Sequence, residues 1–143
     1  MRLIVLPALA LLSACDDSRA ECDAAKDAAH QAWGELGVRL GMQVSTAKTA
    51  VQERESRLPA AQRAPPGALQ VLEREIAERR AELQAAEERR AAADRVRETW
   101  RGTTAKHAWQ ASSETLAQFP DLAAEAAEAA GGTAFQVCAE VEK

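Results

Sequence analysis

The stretch PAAQRAPPG, Pro59–Gly67, holds three prolines and one glycine in nine residues and separates two long helical patterns. Proline and glycine at this density are turn chemistry, so a loop is expected here. Upstream, small or apolar residues recur at Ala25, Ala29, Trp33, Leu36, Leu40, Val44, Ala47, Val51 and Leu58. Steps of three and four place them on one helical face. Ser18-Arg19-Ala20-Glu21 fits a capping box, in which a hydroxyl and a carboxylate three residues apart satisfy free N–H groups of a first turn. The expected first helix therefore runs from 18 to 58, where Pro59 pushes its predecessor out of helical geometry. Gly34, Gly37 and Gly41 fall near one side of it. They read either as a surface for close helix approach or as plain tolerance within a long packed helix.

Downstream the pattern resumes with Leu69, Leu72, Ile76, Leu83, Ala86, Ala93, Val96 and Trp100, which predicts a helix over 68–101. Glutamate and arginine fill most of the remaining positions, as on the solvated flank of a coiled coil, and Glu75 to Arg79 has favourable i to i+4 spacing. Arg79 and Arg90 fall where a strict heptad wants apolar groups, so the seam is imperfect. Arg101-Gly102-Thr103-Thr104 is a break. Further helices are expected over 103–119, over 121–130 beginning with Pro120-Asp121, and over 133–142, where Thr133-Ala134-Phe135-Gln136 reads as a second capping box. Two long helices around one tip, followed by a shorter folded-back set, make the chain all-α: an antiparallel coiled-coil-like hairpin with a C-terminal helical hairpin at its base.

The first sixteen residues, MRLIVLPALALLSACD, carry an address. Arg2 is a positive start, Leu3–Leu12 are apolar apart from Pro7, and small residues precede Cys15, which is the pattern of an export signal. A spanning helix needs roughly 20 apolar residues, more than this run supplies. Leu12-Ser13-Ala14-Cys15 resembles the lipobox of bacterial lipoproteins at all its positions. That resemblance implies removal of residues 1–14, a diacylglycerol thioether on Cys15, and an acylated N-terminus that anchors residues 15–143 to a membrane. Two or more acyl chains hold stably where one does so only marginally. An ordinary secretory signal cut near Ala14 would leave Cys15 a free thiol instead. Asp16 just after the cysteine resembles an inner-membrane retention signal, so a periplasm-facing place on the inner membrane is expected.

With Cys15 lipidated, Cys22 and Cys138 remain as a pair, and an even remainder in an exported chain suggests a disulfide. Chain register agrees. With the tip centred near residue 62, Cys22 lies forty residues before it and Gly102 forty after, on arms of about 60 Å at 1.5 Å per residue. The piece from Gly102 to Cys138 folds back about Pro120 and returns Cys138 to the level of Cys22. A three-helix up-down-up bundle would put the two cysteines at opposite ends. Closing so long a loop stabilises by about 4 to 5 kcal/mol in the chain-entropy model.

Composition narrows the function classes. Without residues 1–14 the chain has 17 basic and 22 acidic residues, a balance that argues against nucleic acid as a partner. Alanine accounts for 34 of the 143 residues, so bulky core side chains are few. His30 and His107 lie in no HExxH, phosphate-loop or nucleophile-elbow setting. A zinc set of Cys22, His30, His107 and Cys138 matches no standard spacing, and an oxidising compartment favours the disulfide. Ser112 and Ser113 read as surface or turn residues. Trp33, Trp100, Trp109, Phe119 and Phe135 read as an aromatic core at the base rather than a ligand pocket.

No catalytic residue, metal ligand or cofactor is expected, and the chain does not read as an enzyme. The expected role is structural or interactive: a lipid-anchored helical arm that meets an envelope protein. The class-distinct alternative is a small periplasmic binding module, such as an inhibitor or immunity-type lipoprotein. An exposed apolar stripe would favour the first, and an enclosed apolar cavity with a polar rim the second.

Overall fold

The computed structural model describes the backbone of residues 10–123, 126 and 131–143, and side chains from Asp17 onward. The chain is all-α. In order, the elements are α1 (Ala10–Glu55), α2 (Leu58–Ala61), α3 (Ala68–Gly102), α4 (Ala105–Gln118), a 3-10 turn (Pro120–Leu122) and α5 (Gly132–Cys138). Among the described residues, no helix is long and apolar enough to cross a membrane.

The chain forms two compact units, one of residues 34–95 and the other of residues up to Trp33 with Val96–Lys143. Residues 34–95 hold the arms and the tip. Here α1 and α3 run antiparallel: Gly37 faces Asp94, Gly41 faces the Arg90 guanidinium, and Arg54 pairs with Glu75 at 3.1 Å. A Cβ on Gly37 would stand 3.0 Å from the Asp94 carboxylate, the free end of an exposed side chain. The seam is thin. Leu36, Leu40, Val51, Leu72, Ile76, Ala86, Ala92 and Ala93 are buried, whereas Val44, Ala47, Leu69 and Leu83 are only half-buried. Two helices cannot enclose a row of side chains on every side, and alanine at 86, 92 and 93 supplies little area.

Two expectations about the arms change. α1 ends at Glu55 rather than Leu58; Ser56 and Arg57 form a turn, and Leu58–Ala61 is a separate helical turn with proline as its second residue. Proline suits the first turn, where its missing N–H would have had no partner, so Pro59 sits inside the first turn of α2 instead of merely ending α1. Arg79 bonds Glu82 at 2.7 Å, not Glu75, because Glu75 is taken by Arg54 of the opposite helix. The Glu82 carboxylate raises the Arg79 pKa above its ordinary value. At the tip Gly67 has φ +98°, a left-handed conformation that glycine adopts without strain.

The other unit is the base. α1 already runs from Ala10, so Ser18 and Glu21 lie inside it and do not start a helix; all four residues of that motif are exposed, and S-x-x-E suits a solvated helix face equally well. Thr104 caps α4, its hydroxyl accepting from the His107 N–H at 3.3 Å. The helix expected over 121–130 is a 3-10 turn at Pro120–Leu122, and its remainder falls largely outside the described residues. α5 starts one residue before Thr133, which is therefore not its cap. Gly131 takes that place at φ +77°, its carbonyl accepting from the Phe135 N–H at 3.0 Å. A Cβ on Gly131 would come within 3.0 Å of three Trp100 ring carbons, so only glycine lets the chain turn against that indole.

Candidate functional site

Cys22, Lys26, His30 and Trp33 follow one another at steps of four, four and three, and so share a face of α1. At the top of this stripe Cys22 and Cys138 are joined as a disulfide, with Cα atoms 4.8 Å apart and both residues almost fully buried. The register count therefore placed them correctly, and the three-helix alternative does not apply.

Lys26 sits one turn on. Its Nζ donates to the Thr103 carbonyl at 2.7 Å and to Glu142 Oε1 at 2.9 Å. The other oxygen of that carboxylate accepts from the Ala105 backbone N–H at 2.6 Å. One glutamate thus ties the end of the chain to α1 and to the first turn of α4, where a negative charge also complements the helix dipole. The pair is largely shielded, with side chains 18% and 20% exposed. The sequence reading missed both residues: a lysine within a charged helix and a glutamate next to the last position carry no signal until the topology brings them together.

Next is His30, buried, with Nδ1 at 2.9 Å from the Arg97 carbonyl. A carbonyl only accepts, so Nδ1 carries the hydrogen. Among the described residues His30 Nε2, Trp33 Nε1 and Arg97 Nε are buried without a hydrogen-bond partner.

The aromatic residues divide into a core and a rim. Trp33 and Trp100 are wholly buried, while Trp109 and Phe135 are half-buried and stack with ring centroids 6.2 Å apart. Ser112 corrects the reading of it as a surface residue. It is fully buried, accepts from Trp100 Nε1 at 3.0 Å and donates to the Ala108 carbonyl at 2.9 Å. An indole N–H taken out of water needs such an acceptor, and the serine supplies it. Ser113 is exposed, as expected, and donates to the Trp109 carbonyl.

The four-residue zinc set does not assemble. His30 is held on Arg97, and His107 is exposed on α4. The group that does approach the cysteines is Glu142: the ligating atoms of Cys22, Cys138 and Glu142 all lie within 4.8 Å of one another. Beside them opens a cleft of about 330 Å³, lined by Ala105, Lys106, Phe135, Cys138, Glu142 and Lys143 among others. On the arms, Val38 and Met42 stand one turn apart on α1, 68% and 62% exposed. Along the same helix the Thr46 and Thr49 hydroxyls donate to main-chain carbonyls of the preceding turn. The expected lipid acceptor, Cys15, lies within α1 by its backbone, but its side chain falls outside the described residues, as do residues 3–9 of the apolar run before it.

No family model, no curated protein and no solved structure matches this chain.

Proposed function

We propose that the chain is a lipid-anchored protein of the bacterial cell envelope with a structural or protein-interaction role carried by its helical hairpin. The observation that carries the anchor is Leu12-Ser13-Ala14-Cys15 behind a positive start and a short apolar run. Residues 1–14 are removed, Cys15 is acylated, and the helical part faces the periplasm, with Asp16 directing it to the inner membrane. What supports the interaction role is the exposed pair Val38 and Met42 on α1, two apolar side chains given to solvent in a chain with few of them. The partner is an envelope protein and not nucleic acid, in keeping with the acidic balance of charge.

The test is Cys15→Ser. In a bacterial host that expresses the full chain, wild type is expected to incorporate labelled palmitate and to fractionate with membranes. The variant is expected to lose the label and appear in the soluble envelope fraction. Unchanged fractionation of the variant would overturn the anchor.

The binding-module alternative draws on the cleft beside Cys138, whose apolar wall at Phe135 meets polar groups at Lys106 and Glu142. The exposed Val38 and Met42 on α1 favour the interaction reading. Val38→Ser with Met42→Ser separates the two: loss of partner capture at unchanged stability supports the arm, and unimpaired capture moves the site to the base.

A further inference from the structure

Among the described residues, sulfur is carried by Cys22, Cys138 and Met42. The two cysteines are bonded to each other and almost fully buried, so neither presents a thiol to solvent. Met42 is the opposite case, with 62% of its surface in water. We infer that Met42 is an oxidation site, at which a peroxide converts the thioether to the sulfoxide, and that this step removes the apolar character of the exposed pair on the arm. Its bearing on partner docking rests on the interaction reading proposed above.

Position makes this a change of surface and not of fold. Val38 and Met42 stand on the side of α1 opposite the one that buries Leu36, Leu40 and Val51, so the methionine fills no part of the seam. From Leu40 to Ala47 no side chain is ionisable, and Val38 one turn before Met42 is 68% exposed. In that stretch the thioether is the one group whose polarity chemistry can change. A sulfoxide is polar and chiral where the thioether was apolar and adaptable, a conversion that ruins packing when the methionine lies in a core. At Met42 there is no core to ruin. Exposure also leaves the sulfoxide within reach of reductases, which makes the modification reversible.

The chemistry is a single oxygen-atom transfer. A sulfur lone pair attacks one oxygen of hydrogen peroxide, a sulfur–oxygen bond forms and the oxygen–oxygen bond breaks. Sulfur is oxidised by two electrons and the peroxide is reduced by two. The departing oxygen leaves as water with both peroxide protons, and the side chain is left as a neutral sulfoxide.

Peroxide treatment of the full chain carrying Cys15→Ser, which takes no acyl group, tests this. Peptide mass mapping against time, with free methionine in the same tube, is expected to find one added oxygen on Met42 at a rate within about fivefold of the free amino acid. Retention on a hydrophobic-interaction column should fall on oxidation, as it does for Met42→Gln without peroxide, and Met42→Leu should keep its retention through the same treatment. The melting temperature of the oxidised chain should move by no more than about 3 °C, as for a surface substitution. Slower oxidation of Met42, retention that does not change, a shift that survives Met42→Leu, or a larger fall in melting temperature would each overturn the assignment. All four readouts use the isolated chain, so they stand apart from the docking reading, which the Val38→Ser and Met42→Ser capture experiment tests.

Discussion

The base and the arms are drawn from the same two long helices, yet they hold their side chains in different ways. In the base α4, the 3-10 turn and α5 add further walls, and Trp33, Trp100, Leu122, Ala134 and both bonded cysteines are almost fully buried. Some polar groups drawn in with them are answered, as Ser112 answers Trp100 and Glu142 answers Lys26 and Ala105, whereas His30 Nε2, Trp33 Nε1 and Arg97 Nε are not. In the arms two helices meet along a single seam, leaving Val44, Leu69 and Leu83 half in water. The pairs that flank it, Arg54 with Glu75 and Arg80 with Glu55, are partly exposed, and each contributes about 0.2–1 kcal/mol at most. A helix face gains stability from the number of elements packed over it, and by that measure the base is the stabilising part.

The sharpest way to break this comparison is Trp100→Ala. Emptying a wholly buried indole site costs about 3 to 5 kcal/mol, and here it also removes the ring against which Gly131 turns, so a large fall in melting temperature is expected. A loss no greater than that of an arm substitution such as Leu83→Ala would show that the base holds no special share. Ser112→Ala is the intermediate case. It leaves the Trp100 N–H buried without an acceptor, at a cost of about 1 to 3 kcal/mol, while Ser112→Thr should keep most of the stability if the extra methyl fits. If alanine there is neutral by thermal melting, the hydrogen bond is not a determinant of the base. The smallest effect is expected at the tip. Residues 62–67 are exposed and carry no large apolar side chain and only Arg63 as a charge, so replacing them with a Gly/Ser linker should shift stability by no more than about 0.5 kcal/mol. A severe loss would mean that the turn itself fixes the pairing of α1 with α3.

The parts of this fold that were legible in the sequence are those set by repetition and counting. Nine apolar positions before the tip and eight after it announce two long helices, and equal arm lengths bring Cys22, the end of α3 and Cys138 to one level. The parts that were not legible depend on which short element meets which. Ser112 has the look of a surface serine because nothing local marks that α4 turns it toward an indole twelve residues earlier. Glu142 gains its partners only when α5 brings the chain end beside Lys26 and Ala105. The two capping boxes misled for different reasons: at Ser18 a hydroxyl and a carboxylate three residues apart suit a helix interior as well as its start, and at Thr133 the geometry of Gly131, turned against the Trp100 ring, outranked the motif.

The claim on which the rest depends is that the base is closed by Cys22 with Cys138. Peptide mapping of protein exported to an oxidising periplasm, digested without reductant and with free thiols blocked at lysis, measures this most directly. The account predicts one cross-linked peptide pair containing Cys22 and Cys138, which separates on reduction. Recovery of both cysteines as singly blocked thiols from correctly folded protein would contradict it.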